Sequence, residues 1–158
     1  MKNVIEPVIR FKEFSRRQMQ AFTWWCHGSP YFNYNGIIAD GSIRAGKTVS
    51  MAISFVLWAM QTYDKQNFAM CGKTVGSFRR NVWNWLKPVL YARGYEVTEF
   101  RTNNTIIIDD GKSVNYFYIF GGRDESSQDL IQRMTLAGLY CDEVALMPES
   151  FVNQATGR

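Results

Sequence analysis

Histidine is almost missing from this chain of 158 residues: His27 stands alone, which leaves no partner for a histidine-based catalytic dyad. Cysteine is scarce as well. Cys26, Cys71 and Cys141 are widely spread and form no C-x-x-C pair, so neither a zinc site nor a disulfide framework is indicated. All three read as small buried hydrophobes in a reducing compartment. The longest nearly apolar run, Ala52–Met60, falls well short of the roughly 20 residues that cross a bilayer. The opening Met1-Lys2-Asn3-Val4-Ile5-Glu6-Pro7 lacks the apolar stretch and small-residue cleavage site of a secretory signal. No membrane partner is expected, and a cytoplasmic location is. Internal repeats, coiled-coil heptads and low-complexity tracts are missing too.

What is present is the composition of a packed fold: 46% hydrophobic, 15% aromatic and 20% charged residues. The length suits one core, so residues 1–158 are expected to form a single domain. The formal charge of +4 hides an asymmetry, with 13 Lys/Arg against 4 Asp/Glu in residues 1–95 and 5 against 10 in residues 96–158. A basic first part is compatible with a phosphate-rich partner and equally with a solvated surface.

Periodicity and punctuation predict alternating helices and strands. Ser15 is placed to cap a first helix running through Gln18, Phe22 and Trp25 to about His27, stopped by Gly28-Ser29-Pro30. Gly36–Asp40 reads as a short buried strand. Val49, Ala52, Ile53, Val56 and Met60 recur at helical spacing from Lys47 to Tyr63, with Met51, Phe55 and Trp58 making the other face apolar as well. A core strand over Asn67–Gly72 precedes a long helix from Val75 to about Arg93, in which Pro88 should cause a kink. Three short runs, Tyr95–Phe100, Thr105–Ile108 and Val114–Phe120, with turns at Asn103-Asn104 and Asp110-Gly111, predict an antiparallel meander. A short helix over about Ser126–Met134 then leads to the strand Leu139–Cys141, and Pro148 could open a last helix. The expected class is α/β, with a mostly parallel sheet flanked by helices on both faces.

Residues Gly41-Ser42-Ile43-Arg44-Ala45-Gly46-Lys47-Thr48 match the phosphate-loop pattern G-x-x-x-x-G-K-[ST] in full. The glycines let the backbone curl so that successive N–H groups of Gly41 through Gly46 can face phosphate oxygens, and the following helix adds its positive end. Lys47 is suited to the outer phosphates and Thr48 to a Mg²⁺ ion, which makes ATP with Mg²⁺ the expected ligand. Gly72-Lys73-Thr74 repeats the ending but has Asn67 where the first glycine belongs. About 95 residues after Lys47, the apolar run Leu139-Tyr140-Cys141 ends in Asp142-Glu143. In a nucleotide-hydrolysing enzyme Asp142 would serve the Mg²⁺ shell and Glu143 would polarise the attacking water. Arg44 is placed to touch a phosphate or to face solvent. Gln18, with Gln20 in reserve, carries an amide able to read an adenine edge, or is simply a surface glutamine. Arg79, Arg80 and Lys87, interleaved with Trp83 and Trp85, suit either a DNA backbone or the charged outer face of an amphipathic helix, the latter preferred.

With these residues the chain resembles the large terminase subunit of tailed phages, in particular its N-terminal ATPase domain. The resemblance runs from about residue 13 onward. It rests on the glutamine ahead of the loop, the arginine-bearing loop itself, the meander, and the closing stretch from Thr135 through Asp142-Glu143 to Ala155. It implies a P-loop ATPase of the additional-strand, catalytic-glutamate type, working as a homo-oligomeric ring that drives double-stranded DNA into a procapsid in an infected or lysogenic bacterial host. Partners implied are DNA, the portal protein and the small terminase subunit. By the same likeness Gln18 reads adenine, Arg44 and Lys47 act on the phosphates, Thr48 and Asp142 hold Mg²⁺, and Glu143 orients water. An arginine supplied to the neighbouring subunit would be Arg123 or Arg133. Family members continue into a coupling motif and a nuclease domain, so these residues are expected to be an N-terminal fragment. A helicase-like ATPase and a nucleotide-binding module without turnover are the alternatives.

Overall fold

The computed structural model describes residues 11–42 and 44–157. Its centre is a five-stranded sheet in the order β2-β3-β4-β1-β5, where β1 is Asn67–Gly72, β2 Glu96–Phe100, β3 Thr105–Asp109, β4 Val114–Gly121 and β5 Gly138–Cys141. Strand β1 pairs in parallel with both β4 and β5, while β2, β3 and β4 form the antiparallel meander. The sheet is therefore evenly mixed and not mostly parallel: the hairpin turns at 101–104 and 110–113 return the chain without a crossover helix.

Side chains alternate across this sheet. Phe68, Met70, Ile106, Ile108, Phe117, Ile119 and Tyr140 face one way, against α2 (Lys47–Thr62), α3 (Val75–Phe78) and α4 (Asn84–Ala92). Ala69, Cys71 and Phe120 face the other way, against α5 (Glu125–Gln132), α6 (Glu149–Thr156) and the stretch between them. Helices thus cover both faces as the pattern required. Helix α2 is buried from Ala52 to Met60 except at Trp58. Asn115 ties its last turn to the sheet, accepting from Gln66 N at 2.9 Å and donating to the carbonyls of Tyr63 at 2.8 Å and Ala59 at 3.2 Å.

Three expectations need correction. Helix α1 spans only Arg16–Phe22, and residues beyond Thr23 pass into successive turns instead of continuing to His27. Its start is as read: Ser15 and Gln18 form a reciprocal capping box. The long second helix is interrupted one turn before Pro88, by a π-helical turn over Arg79–Trp83 in which Asn84 N reaches Arg79 O. Pro88 sits inside α4, where its missing N–H falls opposite the Asn84 carbonyl just past that wide turn. Residues 36–40 form no strand. Ile38 is 89% exposed, because an apolar run becomes a strand only when its backbone finds a ladder partner, and this one has none among the described residues. The free edge of β5 is likewise unpaired among them. No helix among the described residues is long and apolar enough to cross a membrane.

Candidate functional site

The site is assembled where α2 begins and β5 ends. Gly46 caps α2 in the left-handed region at φ 71°, a conformation that costs a residue with a Cβ about 1 kcal/mol or more. No side chain caps this helix and no acidic residue occupies its first turn, so its leading N–H groups and positive end are left for an anion. Lys47 folds back across the loop, its Nζ donating to the carbonyls of Gly41 at 2.6 Å and Ser42 at 2.8 Å. The loop is thereby drawn into a curl with an ammonium at its mouth. Asp40 adds a turn contact, accepting from Gly41 N at 2.8 Å.

Across from the loop stands Asp142, buried at the end of β5. Thr48 Oγ1 donates to Asp142 Oδ1 at 2.9 Å, joining residues 94 positions apart. Tyr140, two residues earlier on the same face, donates to the same oxygen at 3.3 Å. Burial, together with the nearby Asp142 carboxylate, pushes the Tyr140 phenol well above its ordinary pKa, so it stays a donor. A hydroxyl and a carboxylate in contact beside an ammonium form a hard-oxygen pair of the kind that suits Mg²⁺, which takes few protein ligands. Glu143 is exposed and lies at φ 56°. Of the four non-glycine residues with positive φ among the described residues, two are Arg44 and Glu143, one from the loop and one beside Asp142. Backbone held at about 1–3 kcal/mol of strain concentrates where function requires it.

Gln18 reaches the loop from α1. Its Nε2 donates to Ala45 O at 2.6 Å while its Oε1 accepts from Ser15 N at 2.7 Å, so both ends of the amide are engaged. Gln20 is exposed and lines a recess with Trp24, Tyr31 and Tyr34. Arg44 is exposed, and Ile43 lies outside the described residues. Arg123 follows β4 at the same end of the parallel strands as Asp142, its N–H bonded to Lys73 O at 3.1 Å. Arg133 closes α5 near the opposite edge, just before Ala137 bonds Asn67 O at 2.8 Å.

Residues 38–156 match the family described as the N-terminal part of the terminase large subunit, T4likevirus-type. The large terminase of the thermophilic bacteriophage D6E superposes with a TM-score of 0.90 at 58% identity, covering 93% of this chain and 36% of that one. The chain belongs to the terminase large-subunit family. The same phage protein, solved in complex with ATP-gamma-S, gives a TM-score of 0.84 at 53% identity over 92% of this chain and 34% of that one. The ATPase domain of the Thermus phage P74-26 large terminase shares the fold at 14% identity and a TM-score of 0.51, over 73% of this chain and 52% of that one. No match was found among curated proteins. This terminase chain spans about a third of the length of the D6E proteins it matches.

Other sequence candidates fall outside the terminase site. Gly72-Lys73-Thr74 only ends β1, and Thr74 caps α3 in a second capping box with Ser77. Arg79 and Lys87 are tied to Glu99, whose side chain is 7% exposed, Lys87 at 3.1 Å, and Trp83 is fully buried, which leaves Arg80 and part of Trp85 at the surface of this helix. His27 is exposed and stacks on Phe32 at 4.5 Å. Tyr140 was missed by sequence reasoning, although its position two before Asp142 on a strand was the available signal.

Proposed function

We propose that this chain is the ATP-hydrolysing motor core of a DNA-packaging terminase. The observation that carries the reading is the Thr48–Asp142 contact at 2.9 Å, which brings the glycine-bounded loop and the strand-end carboxylates into one site. Residues 41–48 act as a P-loop, or Walker A loop: its backbone and the open end of α2 cradle the phosphates, and Lys47 exchanges its loop carbonyls for phosphate oxygens. Thr48 and Asp142 hold Mg²⁺, which supplies charge neutralisation on the phosphates when bound. Glu143 polarises the attacking water, and Arg44 adds positive charge at the loop. Gln18 fixes the loop through Ala45 and offers the remainder of its amide to adenine.

Membership of the large-terminase family supports a DNA-packaging role, and the D6E protein's complex with ATP-gamma-S supports nucleotide binding. In this reading the chain works in a ring at the portal, with double-stranded DNA and the small terminase subunit as partners. The arginine offered to a neighbouring subunit's nucleotide is Arg123 or Arg133, both exposed.

A second reading is favoured by one observation: the segment ahead of the loop, residues 36–40, has no strand partner among the described residues. An unsupported loop would bind nucleotide without turning it over. Phosphate release from ATP with Mg²⁺, measured with and without double-stranded DNA, separates the two. The motor reading expects release that Glu143→Ala abolishes. No release, with ATP binding that Lys47→Ala destroys, selects the binding module and removes self-sufficient hydrolysis.

A further inference from the structure

Asp142 is held by two donors that end on the same oxygen. Thr48 Oγ1 lies at 2.9 Å and the Tyr140 hydroxyl at 3.3 Å from Oδ1, and no donor among the described residues is bonded to Oδ2. The two donors are not equivalent. Thr48 begins the first turn of α2 and faces the loop, so its lone pairs are needed by a cation arriving with nucleotide. The Tyr140 hydroxyl has no other hydrogen-bond partner among the described residues and no such duty. Its ring is fixed in the core, 5.8 Å from Phe55 and edge-on to Phe78 at 6.3 Å. Residues i and i+2 of a strand share a face, so the position of the phenol on β5 dictates where its hydroxyl meets Asp142.

We propose that Tyr140 is a positioning residue for Asp142: its hydroxyl anchors Oδ1 so that the carboxylate keeps its orientation toward the cation that accompanies nucleotide. This rests on the reading of Asp142 as a Mg²⁺ residue. A phenylalanine would fill the same core space, so the hydroxyl is the part to remove. Hydrogen-bond partners of carboxylates that hold a metal typically affect metal affinity by about tenfold or more.

The test is Tyr140→Phe in the whole chain, with Asp142→Asn and wild type alongside, measuring melting temperature and affinity for a fluorescent ADP analogue in EDTA and in Mg²⁺. For Tyr140→Phe the expected result is a melting temperature close to wild type, unchanged affinity in EDTA, and an Mg²⁺-dependent gain in affinity reduced about tenfold. Tyr140→Leu, which also opens space in the core, should lose stability but show the same metal defect. If Tyr140→Phe keeps the full Mg²⁺ gain while Asp142→Asn loses it, Tyr140 is core filling only and the proposal is overturned. If Asp142→Asn also keeps the gain, or the wild type binds no nucleotide, the underlying reading fails and takes the proposal with it.

Discussion

Replacing Asn115 with leucine should separate the fold's architecture from its chemistry. The leucine side chain has the same number and branching of heavy atoms, two methyl groups standing where the amide oxygen and nitrogen were, so the change removes the hydrogen bonds while adding some bulk. Of the three backbone groups bonded by Asn115, the Ala59 carbonyl keeps a partner, Tyr63 N at 3.1 Å. The Tyr63 carbonyl and Gln66 N–H, both in part-buried bonds, lose their partner. For part-buried groups each such loss costs about 0.5–1.5 kcal/mol, giving about 1–3 kcal/mol in total. For a chain of this size that corresponds to a fall in melting temperature of about 2–12 °C. Thermal unfolding followed by circular dichroism gives the number directly. Nucleotide affinity measured well below the transition should be unchanged, because Asn115 lies at the start of β4, away from the strand ends that carry Asp142. A fall of less than about 2 °C would refute the claim that this side chain fastens α2 to the sheet.

Other predictions concern charge and close contacts. Burial works to raise the Glu99 carboxyl, but hydrogen bonds from Lys87 and Arg79 and the Arg79 charge outweigh it and hold the group below its ordinary value. Its stabilising contribution is therefore present above the ordinary carboxylate pKa and is lost as pH falls through the lowered one. Glu99→Gln should be about 1–3 kcal/mol less stable at pH 7, with a gap that closes in acid unfolding scans. A Cβ at Gly138 would lie 2.5 Å from the Trp58 ring and 3.1 Å from Phe68, so Gly138→Ala should cost about 1–3 kcal/mol and change the tryptophan emission. At Gly46 a Cβ would meet Gln18 Nε2 at 2.5 Å in a left-handed backbone, and Gly46→Ala should weaken nucleotide binding about tenfold in a titration.

Most of the scaffold was legible in the sequence because its signals are local. Ser15 with Gln18 announced a helix start, the spacing of apolar residues after Lys47 announced α2, and alternating side chains with Asn and Asp turns announced the meander. That Asp142 should come to the glycine-bounded loop was expected on chemical grounds, and the Thr48 contact at 2.9 Å brings the two together. What misled was local signal without its long-range complement. Ile37-Ile38 has the composition of a core strand, yet strand formation needs a neighbour that sequence composition does not contain. The basic residues beside tryptophans were ambiguous in the sequence, with the charged outer face of an amphipathic helix preferred over a DNA contact, and only the structure shows Glu99 binding Arg79 and Lys87 from a strand 12 to 20 residues away.

The sequence by itself determined which groups are available: a glycine-bounded loop, a lysine, a threonine and two carboxylates, each specified by residue type and spacing. Only the tertiary structure decided how they are held. The Tyr140 contact with Asp142 is local to the end of β5, whereas that Thr48 meets Asp142 and that Gln18 donates to Ala45 depend on contacts between separate elements. Such contacts are fixed by the joint packing of α1, α2 and β5, and no window along the chain encodes them.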